Sequence, residues 1–508
     1  MCPSSVRKSI VQFIELVLWF LTGFYLWRVS KMLPLDLMDE THYLQASQGL
    51  IGDIFWQDNF FYLLWIKVLR IFSEDALWLY GFNYFLLTLG ACLLWRWSLR
   101  AFGVKPLLFW LLMTLSLQSP IFIHAYPYQT RFVSIWLALG VYFLGARRGT
   151  QKRNLFYFLG LFLCMLAPLV RQECYLILFL LLFRGFLKKD YLLIGVCLFF
   201  ISLYTSLPLG EAHAEPRFSI AFLQHLAWHL ASKKLWMGNV WLEYDKLRIL
   251  FFNSEYSFFN MFKYNPTLVL QHGLWNLQSL PDVFRAYLPV HWGRLQKIVF
   301  FSVLGLGFLG YPSHKKSQNG IFWFALAPPL FCLLVVFPRT HYFWAFIYLA
   351  VLCMFSQSWF LGSLFTKKLY GLFEYRLALQ TARLLYFLGT FYFIIHFLYQ
   401  ASTARLSSGK DTNQYLVESI RLHLKHPTIL LSSLGSFEVY HPPAQTVLAH
   451  TKKSSWPEFQ KQKGIKVLLL SPDLLQLQSY SQDQVFLEAL KKAKKRQILS
   501  PHYELVWF

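Results

Sequence analysis

Long apolar segments alternate with short polar segments over residues 9–399 of the chain. Apolar runs of this kind, flanked by charged residues, indicate helices that cross a bilayer, and the pattern predicts about eleven of them. The predicted spans are 9–27, 76–95, 106–123, 132–146, 155–170, 174–187, 191–209, 298–311, 320–338, 342–361 and 384–399. A further run, 60–72, contains Lys67 and Arg70 and is predicted to lie in the membrane interface.

Clusters of Lys and Arg follow every second predicted span, as is typical of cytoplasmic loops. This arrangement places the N-terminus in the cytoplasm and, because the number of spans is odd, the C-terminal segment outside. Two longer loops, 30–75 and 210–297, are then also outside. The predicted domains are a transmembrane domain over residues 1–401 and a soluble extracytoplasmic domain over residues 402–508.

The pattern after residue 402 is that of a small soluble domain. Short apolar runs bounded by Gly and Pro are typical of buried strands, and amphipathic runs indicate helices. Helices are predicted over Thr412–His423 and 484–495, and strands over 428–434, 465–470 and 503–508. The predicted fold class is therefore an α-helical polytopic membrane protein with a small C-terminal α/β domain.

Composition supports the membrane assignment. Apolar residues make up 56% of the chain and charged residues only 14%, whereas a soluble domain carries about a quarter charged residues. The net charge of +23 is compatible with nucleic-acid binding, but the basic residues lie in loops between apolar spans, so no nucleic-acid partner is predicted. Most of the seven cysteines lie in apolar segments, which indicates no disulfide framework.

Acidic side chains are concentrated just after the first predicted span, in residues 35–43, called here the acidic turn. It contains Asp36, Asp39 and Glu40, followed by His42 and Tyr43. Adjacent residues diverge by about 100° in a helix, so Asp39 and Glu40 need not share one role. A partly desolvated carboxylate at the membrane edge is a competent base for an acceptor hydroxyl or amine. The alternative is that these carboxylates only solvate a loop.

Two arginines lie at other predicted outer boundaries. Arg171 opens an Arg-Gln-Glu sequence that ends at Glu173, and Arg339 precedes His341 and Tyr342. The planar guanidinium group suits phosphate recognition. The alternatives are a hairpin capped by its own Arg–Glu pair and an ordinary aromatic anchor at the interface.

The long outer loop, 210–297, is basic, which favours an anionic headgroup or a phosphate-containing ligand. Its basic residues are Lys233, Lys234, Lys246, Arg248, Lys263, Arg285, Arg294 and Lys297. The same loop holds His225 and His229, whose spacing could serve a metal, but no Cys or zinc motif accompanies them and no metal ligand is predicted.

The residues Asp39-Glu40-Thr41-His42-Tyr43 resemble the first outer-loop motif of the GT-C superfamily of membrane glycosyltransferases. The branch they resemble most contains protein O-mannosyltransferases and lipid A aminoarabinose transferases. The 171–173 sequence is similar to an Arg-Pro-Glu turn of this superfamily, with Gln172 in place of proline, and 339–342 is similar to a late Arg-Tyr motif. The Lys-Pro-Pro stretch that usually follows the first loop is absent.

The resemblance implies an enzyme that takes a sugar from a polyprenyl-phosphate donor at the outer face of a membrane, here expected to be a bacterial inner membrane. It implies that Asp39 is the general base, that Glu40 orients the acceptor or a neighbouring arginine, and that Arg171 and Arg339 bind the donor phosphate. The other expected substrate contacts are His42, Tyr43, Glu173, Lys263, Arg285, His341 and Tyr342. The acceptor could be a glycan, a lipid or a protein, and no cofactor is expected beyond the lipid-linked donor, with a divalent metal left open.

Two other classes of protein remain compatible with the pattern. A transporter or flippase for lipid-linked or anionic solutes would line its path with Asp39, Arg171 and Arg339. A non-catalytic scaffold would use its C-terminal domain to bind a partner.

Overall fold

The computed structural model describes residues 4–286, apart from short gaps, and residues 412–508. The gaps are 32, 38, 56–58, 102–108, 111–112, 114–127, 147–152, 172–173, 207–216, 242 and 256. The four predicted spans between residues 298 and 399 lie outside the described residues, as does most of the span predicted at 106–123.

The described residues of the N-terminal part are mainly helical. They are α1 (Ser4–Ser30), α2 (Asp39–Ala46), α3 (Ile51–Phe55), α4 (Phe60–Leu69), α5 (Ala76–Ala101), α6 (Gln129–Ala146), α7 (Arg153–Leu166), a 3-10 turn η1 (Ala167–Leu169), α8 (Tyr175–Lys188) and α9 (Tyr191–Ser206). The helices α5, α6 and α7 pack consecutively against one another, and α1 packs on α5.

The prediction of about eleven transmembrane helices is wrong. Within the described residues, two helices are long and apolar enough to cross a bilayer by length and composition alone, namely Gln12–Ser30 in α1 and Ala76–Trp97 in α5. Shorter apolar helical segments there have 10 to 13 residues: Phe60–Leu69, Phe158–Leu169, Ile177–Leu187 and Tyr191–Leu203. At about 1.5 Å per residue, a helical segment of 13 residues reaches about 20 Å, which is less than the hydrocarbon core of about 30 Å.

The predicted spans differ from the helices in both directions, since 76–95 is shorter than α5 whereas 155–170 continues past the end of α7. The predicted span 155–170 ends in η1, which contains Pro168. The predicted spans 174–187 and 191–209 correspond to α8 and α9, and α8 is followed by Lys189, whose φ of 52° is left-handed. Apolarity alone does not reveal where a helix stops, since side chains in a tight apolar turn are as hydrophobic as those in the helices beside it.

A second group of helices, residues 217–286, has a hydrophobic core of its own. Its helices are α10 (Arg217–Ser232), α11 (Asp245–Phe252), α12 (Phe258–Tyr264) and α13 (Pro266–Ala286). Phe222, Leu226, Phe252 and Met261 are buried at its centre. This part of the predicted long outer loop is therefore a folded unit.

The C-terminal part contains a five-stranded mixed sheet with the order β2-β1-β3-β5-β4. The strands are β1 (Thr428–Ser432), β2 (Ala444–Leu448), β3 (Val467–Leu470), β4 (Lys495–Ser500) and β5 (Tyr503–Trp507). The helices are α14 (Thr412–His423), α15 (Trp456–Lys463), α16 (Pro472–Gln476), α17 (Gln478–Ser481) and α18 (Gln484–Lys491). β1 pairs in parallel with β2 and β3, whereas β5 is antiparallel to β3 and β4.

The helix predicted over Thr412–His423 is observed with these bounds as α14. The helix predicted over 484–495 is shorter, because α18 ends at Lys491 and β4 begins at Lys495. The basic run 491–496 is thus not a single helix end. Arg496 forms a 2.7 Å ion pair with Glu504 on β5, and Lys495 lies over the Trp507 ring, so cross-strand partners favour the strand.

Candidate functional site

The acidic turn is held in place by hydrogen bonds from its own side chains. The Asp36 carboxylate accepts the backbone N–H of Glu40 at 2.8 Å, and the Thr41 hydroxyl donates to the Asp36 carbonyl at 2.6 Å. The Tyr80 hydroxyl on α5 donates to the Pro34 carbonyl at 2.8 Å and accepts the N–H of Asp36 at 3.0 Å. The entry to α2 therefore has a defined conformation anchored to α5.

Glu40 is buried and joins four parts of the N-terminal region. Its Oε1 accepts hydrogen bonds from the Tyr62 hydroxyl on α4 and, at 3.3 Å, from Asn83 Nδ2 on α5. Its Oε2 accepts the backbone N–H of Tyr128, just before α6, at 3.0 Å. Asn83 Nδ2 also donates to the Tyr62 hydroxyl at 2.8 Å. The carboxyl group is thus the centre of a buried network that ties α2 to α4, α5 and α6.

Burial raises the pKa of Glu40 from 4.5 to about 8. The hydrogen bonds from Tyr62 and from the Tyr128 N–H act in the opposite direction, and the nearby charges of Asp36 and Asp39 add smaller increases. At neutral pH this carboxyl group is therefore mainly protonated, and in that form it donates its proton to the Tyr62 hydroxyl, which can accept as well as donate. A neutral, fully enclosed group in this network serves as a structural centre for the acidic turn.

Asp39, the first residue of α2, is exposed. The two adjacent carboxylates therefore face different surroundings. The partial desolvation that we expected for Asp39 is found at Glu40 instead, because Glu40 is the residue that points into the helix bundle. Asp39 is the carboxylate of the pair that a substrate in solution can contact.

The remaining predicted residues of α2 also differ from each other. His42 is exposed, whereas Tyr43 is buried and packs edge-on against Tyr62 with the ring centroids 5.5 Å apart. Asn59 Nδ2 donates to the Tyr43 hydroxyl at 3.5 Å. Tyr43 therefore supports the position of α2, and His42 lies on the accessible side with Asp39.

Two arginines lie at one end of the α6–α7 pair. A Cβ on Gly140 of α6 would be 3.0 Å from the Gly160 carbonyl and 2.5 Å from Cys164 Sγ, so α6 and α7 pack closely in this region. Arg131 precedes Gly140 on α6, and Arg171 follows α7 and η1, which itself packs on α6. In two consecutive antiparallel helices, these positions are at the same end.

Arg131 and Arg171 are both buried. The Arg131 guanidinium lies 4.4 Å from the centroid of the Tyr84 ring and 5.1 Å from that of Tyr128. Because Tyr128 also donates its N–H to Glu40, this end of the helix pair adjoins the acidic turn. The structure thus places Arg171, among the predicted phosphate-binding residues, at the same end of the bundle as Asp39 and Glu40.

The other predicted site residues lie in the unit of residues 217–286 or outside the described residues. Lys263 is exposed on α12, and Arg285 lies on α13, both in the unit of residues 217–286. Glu173, Arg339, His341 and Tyr342 lie outside the described residues.

The two histidines weighed as metal ligands make other contacts. His225 Nδ1 donates to the Ala221 carbonyl at 2.5 Å, and His229 Nε2 donates to Asn276 Oδ1 at 2.8 Å. Asn276 Nδ2 in turn donates to His272 Nε2 at 3.2 Å. In the part of the chain that the structure describes, no group of three or more His, Cys, Asp or Glu residues could hold a metal ion.

Sequence reasoning missed residues that organise the turn. They are Tyr62, Asn83, Tyr128 and Arg131, together with Tyr440 of the C-terminal part, whose hydroxyl is hydrogen-bonded to that of Thr41. Two of these carried a signal, because Asn83 lies inside an apolar segment and Arg131 lies at the start of one, where polar groups are costly unless they are used. The tyrosines carried none, since aromatic residues are common throughout this chain.

Comparison of the sequence with protein-family models gives no match, and comparison with curated proteins gives no significant match either.

Proposed function

We propose that this protein is a membrane-associated glycosyltransferase that moves a sugar from a polyprenyl-phosphate donor to an acceptor, with Asp39 as the general base. One observation carries the proposal. Asp39 is an exposed carboxylate on a helix whose first turn is held from behind by the buried groups of Asp36 and Glu40. A base on such a frame keeps its position as the acceptor approaches, which is a requirement for proton transfer in the transition state.

The proposed reaction is a displacement at the anomeric carbon. Asp39 takes the proton of the acceptor hydroxyl as its oxygen attacks that carbon, and the bond from the carbon to the donor phosphate oxygen breaks. The polyprenyl phosphate leaves with the electron pair of that bond. Arg171 is the residue we assign to the departing phosphate, where a guanidinium group stabilises the developing negative charge.

Exposed apolar side chains support a membrane location and a lipid-linked donor. On α1 the residues Phe13, Leu16, Phe20 and Phe24 are exposed. On α8 and α9 the exposed apolar residues are Phe179, Phe183, Phe186, Leu187, Leu192, Leu198 and Phe199. Exposed apolar residues that recur along a helix in this way are typical of a membrane or protein interface. The bacterial inner membrane is the location we propose.

The test compares Asp39→Asn with the wild-type protein in membranes supplied with a panel of polyprenyl-phosphate sugars. Released polyprenyl phosphate and the glycosylated product are measured by mass spectrometry. Loss of a general base lowers the rate about 10²- to 10⁴-fold, and we expect an effect of this size. Glu74→Gln is the control, because Glu74 is an exposed carboxylate that pairs with Arg70.

Two results would reject the proposal. One is an undiminished rate in correctly folded Asp39→Asn protein, which removes Asp39 as the base. The other is passage of intact donor across a sealed vesicle without release of polyprenyl phosphate, which is the behaviour of a flippase.

A further inference from the structure

The parallel part of the C-terminal sheet has a topological switch point. The chain leaves the carboxyl end of β1 toward β2 on one side and reaches β3 on the other side. In open α/β sheets, ligands bind in the crevice outside the carboxyl ends of the strands at such a point. Ser433 follows β1 and Ser471 follows β3, and their buried hydroxyl oxygens are 2.8 Å apart.

The chain itself covers this region of the sheet. Gly435, in the connection from β1 to β2, lies against the backbone of Leu37 in the acidic turn. A Cβ at this position would be 1.7 Å from the Leu37 carbonyl oxygen, and Gly435 has a φ of +137°. Only glycine allows this close approach with this backbone conformation. The backbone of the connection is therefore in direct contact with the chain two residues before Asp39.

Hydrogen bonds extend this contact along α2. The Thr41 hydroxyl already donates to Asp36, so in the 2.7 Å bond between the Thr41 and Tyr440 hydroxyls Tyr440 is the donor. Burial raises the pKa of Tyr440, which keeps it protonated. One turn later, Gln45 Nε2 donates to the Glu438 carboxylate.

Both sides of Asp39 are thus attached to the C-terminal part. Before it, Asn413 Nδ2 at the start of α14 donates to the Leu35 carbonyl at 2.7 Å. After it, Glu438 is itself fixed, because its second oxygen accepts the Thr446 N–H at 2.8 Å. Buried residues of the C-terminal part, such as Phe437, belong to the same hydrophobic cluster as Leu35 and Leu37.

The helix that carries Asp39 needs such support. α2 has 8 residues, and isolated helices shorter than about 12 residues are marginal in water. Glu40 anchors one face of α2 to the N-terminal helices, whereas Thr41 and Gln45 anchor another face to the C-terminal part.

We propose that the C-terminal domain, residues 412–508, is a clamp for the acidic turn, with Gly435, Glu438 and Tyr440 as positioning residues for Asp39. The acidic turn lies at the carboxyl edge of the sheet, where it packs against the β1–β2 connection. The domain therefore acts on the site through its backbone and side-chain contacts with α2 and does not bind a separate small ligand at that edge. The consequence for activity rests on the proposed function, whereas the contact itself does not.

The test uses Gly435→Ala in the full-length protein in detergent, with Gly464→Ala as the matched control. Both glycines have positive φ and lie in the same domain, but Gly464 ends α15 and a Cβ there would meet only the Ile429 side chain, at 3.2 Å. Amide hydrogen exchange is measured by mass spectrometry. We expect exchange in residues 36–46 to rise about tenfold or more in Gly435→Ala while the strands stay protected, and Gly464→Ala to leave residues 36–46 unchanged.

Tyr440→Phe is the second variant, because it removes one hydroxyl group and keeps the buried aromatic ring, so the fold is preserved. Loss of one hydrogen bond changes the equilibrium constant for local opening by about 2- to 10-fold, and we expect the amide exchange rate in α2 to rise by that factor. Glycosyl transfer should fall in kcat with little change in the donor KM, since the base is displaced and the phosphate contact is not.

Unchanged exchange at α2 in folded Gly435→Ala and Tyr440→Phe proteins would overturn the clamp, whatever the activity of the protein. If exchange rises as expected and no sugar transfer is found in the wild type, the clamp stands and the proposed function fails. If Gly435→Ala does not fold, Tyr440→Phe and Glu438→Ala decide the question by the same measurement.

Discussion

The buried carboxyl group of Glu40 makes the stability of this protein depend on pH in a defined direction. Its pKa is about 8 in the folded protein and about 4.5 when the group is in water. Between these values the folded protein binds a proton that the unfolded chain does not, so the free energy of unfolding falls as the pH rises. The contribution is fully present below pH 4.5 and is lost as the pH rises to about 8.

The size of this loss of stability follows from the difference between the pKa values of Glu40 in the folded and unfolded states. Each pH unit corresponds to about 1.4 kcal/mol, so the interval from 4.5 to about 8 gives a decrease on the order of 5 kcal/mol. Glu40→Gln removes the titration and keeps a neutral side chain of the same shape. Its amide can donate to Tyr62 while its carbonyl accepts the N–H of Tyr128.

The assay is urea unfolding of the detergent-solubilised protein between pH 5 and pH 9, followed by tryptophan fluorescence. We expect the wild type to be more stable than Glu40→Gln near pH 5 and to lose this advantage by about pH 8.5. Asp39→Asn is the control, because its side chain is exposed and it should keep the pH dependence of the wild type. Parallel pH profiles for wild type and Glu40→Gln would refute the assignment of a neutral, buried Glu40.

Two further predictions concern other buried polar contacts. Glu15 on α1 and Arg96 on α5 form a 2.5 Å ion pair with little exposure, so Glu15→Leu should lower the free energy of unfolding by about 3 kcal/mol. The Glu15→Leu/Arg96→Leu double variant should recover most of this stability. Additive losses in the double variant would contradict the pairing. Asn276→Leu removes the bridge between His229 and His272 and should lower the unfolding free energy by about 1–3 kcal/mol, whereas wild-type stability would show that the bridge contributes nothing.

Local patterns predicted local structure well. The amphipathic run Thr412–His423 forms α14 with those bounds, and the short apolar runs at 428–434 and 465–470 contain β1 and β3. The acidic turn was singled out from its unusual concentration of carboxylates. The end of α7 was not predicted, because the apolar residues of η1 are as hydrophobic as those of the helix before it.

By itself, the sequence determined the helix Thr412–His423, the segments that contain β1, β3 and β5, and the presence of acidic residues after the first apolar helix. Only the tertiary structure decided that Glu40 is enclosed and Asp39 is exposed, that Arg131 and Arg171 share one end of a helix pair, and that Tyr440 bonds to Thr41. The periodicity of apolar and polar residues indicates which side of a helix or strand is buried. It carries no information on which distant segment covers that side, and the environment of Glu40 and Asp39 depends on contacts made by α4, α5, α6 and the C-terminal sheet.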